Sequence, residues 1–216
     1  MRSVAAFSIA ALGLCSSGAS DGSTPAAIPL TIVFHFDAPY SEKSAREMRR
    51  ELGALLTESH IQVDWRDRSQ VAASDSFPNL VVLNFRGQCR MEPGASSPAQ
   101  PDQPLGFTYS SNGAVLPFSE IECDRVRASV DSVMSKGDYG RRDKLLGRAL
   151  ARVLAHELYH VLARTFSHAR TGVAEAALSG SQLIADRFSL GPAELDRMRS
   201  TQAPGKPPLG GALAIY

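Results

Sequence analysis

Neither sign of charge dominates this chain. Lys and Arg number 23 against 22 Asp and Glu, a formal net charge of +1. The signs are interleaved, which argues against the basic stripe of a dedicated nucleic-acid binder and against a long disordered acidic or basic chain. No apolar run reaches the roughly 18 residues from which a membrane-spanning helix is read. No internal repeat divides the sequence, and cysteine is scarce, with three residues. What is present fits one globular domain. The 216 residues are too few for two large domains, and 44% hydrophobic side chains suffice for a sizeable core.

The N-terminus reads as a separate segment. Arg2 gives a positive start, Val4 to Leu14 form a short apolar core, and Ser16, Ser17, Gly18, Ala19 and Ser20 are small. This is the three-part pattern of a secretory signal peptide over residues 1–20, with cleavage near Ala19 or Ser20. The expected destination is extracellular or periplasmic. A lipoprotein anchor on Cys15 is the competing reading, disfavoured because Leu14, just before it, is large. Removing the signal removes Cys15 and leaves Cys89 and Cys123, an even count that predicts one disulfide in an exported chain.

Residues 21–202 read as a single domain, and the Pro/Gly-rich residues 203–216 as a flexible tail. Leu30, Ile32, Phe34 and Phe36 alternate with other residues at period two and predict a strand, with Val33 making the second face partly apolar. A helix is expected from Ser41 to Ser59. Ser44 and Glu47 have capping-box spacing there, and Ala45, Met48, Leu52, Leu55 and Leu56 form one apolar stripe. Ile61, Val63 and Trp65 mark a second strand, and Leu80 to Phe85 a strand buried on both faces. Residues 87–104 read as a long loop. Leu105–Tyr109 and Val115–Cys123 are weaker strand candidates around the turn signal Ser111-Asn112-Gly113. Helices are expected over Asp124–Met134, Arg142–Arg164, Ser181–Phe188 and Pro192–Arg199. The order implies an α/β layer with a mainly parallel sheet.

The long helix carries His156-Glu157-Leu158-Tyr159-His160. Histidines four apart stand one above the other on one helix face, so both imidazoles can reach one ion. Glu157 points about 100° away from His156. In zinc metalloproteases that offset puts the carboxylate beside the water the metal activates, where it serves as general base. A catalytic zinc usually takes three protein ligands. His168 is the nearest further candidate, but a continued helix would carry it about 12 Å beyond His160. It can join only if the chain leaves the helix after about Arg164 and turns back. Glu175 and Asp186 are the alternative third ligands. His35 reads as a partly buried structural histidine and Tyr159 as a packing residue. Tyr109 or Tyr139 could stabilise a reaction intermediate, and nothing in the sequence selects between them.

HELYH, then His168, then Gly172-Val173-Ala174, resembles the metzincin zinc peptidases. The whole stretch from His156 to Ala174, followed by a Ser-containing helix start, resembles a group of exported bacterial metzincin-like proteins. The order of upstream elements is similar too. The resemblance covers roughly residues 30–200, of which only 156–174 is motif-specific. It implies a zincin-like α/β fold. This has a mixed, mainly parallel sheet with a backing helix, a long active-site helix and a small C-terminal helical subdomain. It also implies Zn2+ held by His156, His160 and His168, with Glu157 as general base in hydrolysis of a peptide or protein substrate. An edge strand around Phe107 would pair with that substrate. Two positions depart from the pattern. The family's Gly and third His would fall at Ala163 and Phe166, so His168 comes two residues late; and no Met lies between Met134 and Met198 to occupy the turn beneath the metal. These departures favour the alternative of a non-catalytic zinc- or peptide-binding protein on a peptidase scaffold.

Overall fold

The computed structural model describes residues 26–92 and 103–202. The signal segment, Cys15, the tail over 203–216 and the middle of the 87–104 loop lie outside the described residues. The element order is β1 (Ile28–Phe36), α1 (Glu42–Leu56), β2 (Ile61–Asp67), β3 (Leu80–Arg86), β4 (Gly106–Ser111), β5 (Ala114–Glu122), α2 (Cys123–Asp131), α3 (Arg142–Ala163), α4 (Gly180–Ile184) and α5 (Pro192–Thr201).

The strands form one sheet in the order β2-β1-β3-β5-β4. The first three pairings are parallel, and β4 runs antiparallel to β5 at the edge. This is the mixed, mostly parallel α/β layer expected from the element order. Leu30, Ile32 and Phe34 enter the main core from one face of β1, while Thr31 and Val33 are buried on the other. The β4–β5 hairpin turns at Asn112 and Gly113, both with positive φ. That is the geometry of a two-residue primed turn, for which Asn-Gly is the preferred pair.

Helix α1 is capped by Ser41, whose hydroxyl accepts from the Ser44 N–H at 3.3 Å. The capping-box spacing at Ser44 and Glu47 is therefore not used. Ser44 is buried and its hydroxyl donates to Asp143, while Glu47 pairs with Arg50. The stripe of α1 packs on α3. Gly147 sits at this crossing, where an added Cβ would come within 2.7 Å of the Glu47 side chain and closer still to the Ser44 carbonyl. The two helix backbones approach as closely as they do because that position has no side chain.

The apolar positions of α3 are all buried. Two buried arginines on it, Arg148 and Arg152, hold the end of α4. Arg148 donates to the carbonyls of Ile184 and Ala185 and pairs with Asp186, and Arg152 donates to the Gln182 and Leu183 carbonyls and pairs with Glu51 at 3.1 Å. α4 stops at Ile184, short of the predicted Phe188. The carbonyls of its last turn turn to these guanidinium groups instead of continuing a helical ladder. Leu183, Leu195 and Met198 join the same core as the sheet and α3. Cys89 and Cys123 form a disulfide, with Cα atoms 4.9 Å apart, joining the loop after β3 to the start of α2. No helix among the described residues is long and apolar enough to cross a membrane.

Candidate metal centre

The last turns of α3 carry both helical histidines. Their Nδ1 atoms lie 2.9 and 2.8 Å from the carbonyls of Val173 and Thr165, for His156 and His160 respectively. A carbonyl only accepts, so each Nδ1 holds the ring proton and each Nε2 presents a lone pair. The two Nε2 atoms approach to 3.1 Å. Two lone pairs at that distance repel unless a cation lies between them. Ligands about 2.0–2.1 Å from a tetrahedral ion would themselves stand about 3.3 Å apart.

Helix α3 ends as it must for His168 to join them. Arg164 adopts the left-handed conformation with φ 49°. Its N–H bonds the Val161 carbonyl and that of Thr165 bonds the His160 carbonyl at 3.1 Å, which together form a Schellman ending. The chain then reverses, and the ring of His168 stands 5.2 Å from that of His156 and 4.8 Å from that of His160, centroid to centroid. One ligand nitrogen from each histidine lies within 4.8 Å of the others. This group could hold a metal ion. The left-handed residue is Arg164, one position after the last helical residue, Ala163.

The segment behind the histidines is fixed by its own contacts. Gly172 has φ 83°, and a Cβ there would collide with the Ser189 carbonyl at 2.5 Å. Its N–H donates to Glu175, and the next N–H, that of Val173, bonds the Ser189 carbonyl at 3.0 Å. The Val173 carbonyl is thereby aimed at His156. Glu175 is used up in this loop, accepting from Gly172 at 2.7 Å and from Gln182 at 3.2 Å. Asp186 is an exposed partner of Arg148. Neither carboxylate belongs to the histidine group.

Glu157 is buried, and its Oε2 accepts from the Thr108 hydroxyl at 2.7 Å. Thr108 in turn shares a hydrogen bond with the Ser119 hydroxyl. Burial pushes the Glu157 carboxyl up to about 7, against the opposing pull of the Thr108 hydrogen bond. Burial also pushes His156 down to about 4; the Val173 contact opposes this, and the neighbouring His160 and His168 add to it. His160 is lowered as well, chiefly by burial. Both rings are thus kept neutral, the form a metal requires. Glu157 and the three histidines line one cavity of about 290 Å³ under β4. A second, of about 740 Å³, shares His156 and Glu157 with it.

The remaining candidates lie elsewhere. His35 is exposed at the end of β1, contrary to the reading of a partly buried residue; its side of the strand is uncovered there. Tyr159 is buried, and its hydroxyl accepts from Arg197. Tyr109 donates to Glu120, and Tyr139 is exposed near the start of α3. Met198 is buried in α5, not in the turn after His168. The helix end near Arg164 is where the sequence reading required it; the role of Thr108 and the left-handed conformation of Arg164 were not foreseen. Thr108 reaches Glu157 only through the hairpin register, and arginine carries no signal for a left-handed residue. No protein-family model, curated protein or solved structure matches this chain.

Proposed function

We propose that this protein is an exported zinc metalloendopeptidase with a metzincin-like fold. The reading rests on one observation above all. His156 and His160 are locked as proton donors to backbone carbonyls and turn their free nitrogens towards each other at 3.1 Å, with His168 beside them. An all-nitrogen set of three suits zinc in an open catalytic site. Zinc bound there supplies a Lewis acid that polarises a carbonyl and acidifies water. Glu157 lines the same cavity, and a carboxyl held near 7 is matched to taking a proton from water and returning it to the leaving amine. Thr108 holds that carboxylate in place. Among the described residues the outer side of β4 has no neighbouring strand, leaving backbone groups on which an extended peptide can pair. The disulfide is in keeping with export.

The second reading, a non-catalytic zinc- or peptide-binding protein, is favoured by Ala163 and Phe166 at the two departing positions. Purified mature protein separates the two. One zinc per chain together with chelator-sensitive cleavage of an unfolded protein substrate supports the peptidase. Bound zinc with no cleavage across a broad peptide library supports the binder.

A further inference from the structure

The larger cavity touches the metal centre but has no part in holding the ion. Its walls include Leu105 and Gly106 from the hairpin and Arg125 and Ser129 from α2, and His156 and Glu157 border it. Because the last two residues also border the cavity over the histidines, a group seated here belongs to the residue next to the reacting bond. Three charged side chains line it: Arg125, Glu157 and Glu175. Both carboxylates are engaged, Glu157 by Thr108 and Glu175 by Gly172 and Gln182. Arg125 is half-buried and gives one N–H to the Pro104 carbonyl at 2.9 Å. It forms no ion pair among the described residues. A guanidinium carries five N–H donors in a planar fork, so donors remain for a two-point contact with a carboxylate.

We infer that Arg125 makes this cavity select an acidic side chain, Asp or Glu, flanking the peptide bond that is cut. The inference rests on the peptidase reading for its geometry, but it concerns recognition and is measurable without turnover. A wrong occupant is disfavoured as well. A lysine here would face Arg125 at close range, and an apolar side chain would strip water from a guanidinium without replacing it.

The test uses the full mature chain loaded with zinc, and pairs of octapeptides identical except for Glu or Gln at each position flanking a central bond. Binding is measured by titration calorimetry on Glu157→Gln, and cleavage by mass spectrometry on wild type. At one flanking position the Glu peptide should bind at least about tenfold more tightly than its Gln partner, the size expected of a hydrogen-bonded charge contact. Arg125→Gln should erase that ratio, Arg125→Lys should keep part of it, and Arg125→Glu should invert it in favour of a Lys peptide. Because Arg125 also holds the Pro104 carbonyl, each variant is checked for zinc stoichiometry. Should Arg125→Gln fail to fold, the Lys and Glu variants decide. Equal binding of Glu and Gln peptides at both positions overturns the inference, even if both are cleaved. Discrimination without any cleavage upholds the selection of an acidic side chain by Arg125 and overturns the peptidase reading, with its placement beside a cut bond.

Discussion

At the scale of single residues, Glu157 and His156 carry opposite linkages. The Glu157 carboxyl is raised from 4.5 to about 7, so its contribution to stability is present below pH about 4.5 and is lost as pH rises through about 7. His156 is lowered from 6.5 to about 4, so its contribution is present above pH about 6.5 and is lost as pH falls through about 4. In metal-free protein the two oppose each other across the same range. Glu157→Gln removes only the first. Metal-free Glu157→Gln should therefore gain stability over wild type between pH 5 and pH 8, by up to about 3 kcal/mol, read from urea melts at the two pH values. An unchanged difference would mean that the carboxyl is not held neutral by burial. The same variant, loaded with zinc, should keep its metal and lose at least about 10²-fold in hydrolysis; wild-type cleavage would remove Glu157 from the mechanism. The third ligand has its own measurement. His168→Ala should weaken zinc by more than the 10–100-fold typical of an outer contact, in competition with a chromogenic chelator. Asp186→Ala, whose carboxylate faces Arg148 and solvent, should leave affinity unchanged. The reverse result would replace His168 with a carboxylate ligand.

At the scale of elements, the turn after α3 decides whether the histidines meet. Arg164 holds a left-handed conformation that β-branched residues adopt poorly. Arg164→Val should cost about 1–2 kcal/mol and weaken zinc binding, whereas Arg164→Gly should retain the metal; thermal melts with and without chelator compare them. Gly172→Ala combines a strained φ with a collision against Ser189. It should displace the Val173 carbonyl from His156, lowering zinc affinity without touching a ligand. The periodicity in the sequence was enough to mark the strands and α3, because burial on one face leaves a repeat of two or of about 3.6. The pair His156 and His160 was legible for the same reason, since helix geometry alone sets their spacing. What lies beyond a helix end was less so. The cap at Ser41 was misplaced to Ser44, since hydroxyls three residues apart look alike in sequence; both donate to Asp143, and only Ser41 also accepts from a first-turn N–H. The return of His168 could be required, and its start placed near Arg164, but its form could not be read, because arginine does not announce a left-handed residue. Arg148 and Arg152 carry no signal of their role in the sequence. Their role appears only once α4 brings its carbonyls to them.

For the whole molecule, the disulfide ties the loop after β3 to α2 across 34 residues. Non-reduced, alkylated mature protein should show Cys89 and Cys123 joined by mass spectrometry, and two alkylated cysteines in oxidised protein would exclude the bridge. Replacing both with Ser should cost about 3–4 kcal/mol if the gain is the chain entropy of a loop that long, seen as a lower urea midpoint. The bridge closes a covalent ring. Strands β4 and β5 lie inside that ring and α2 begins where it closes, while His156, His160 and His168 all lie outside it. The hairpin and α2 walls of the larger cavity thus hang from one loop, and the histidine group from another part of the chain. On the peptidase reading proposed above, a reducing milieu would loosen the walls that recognise substrate before the histidines that would hold the ion.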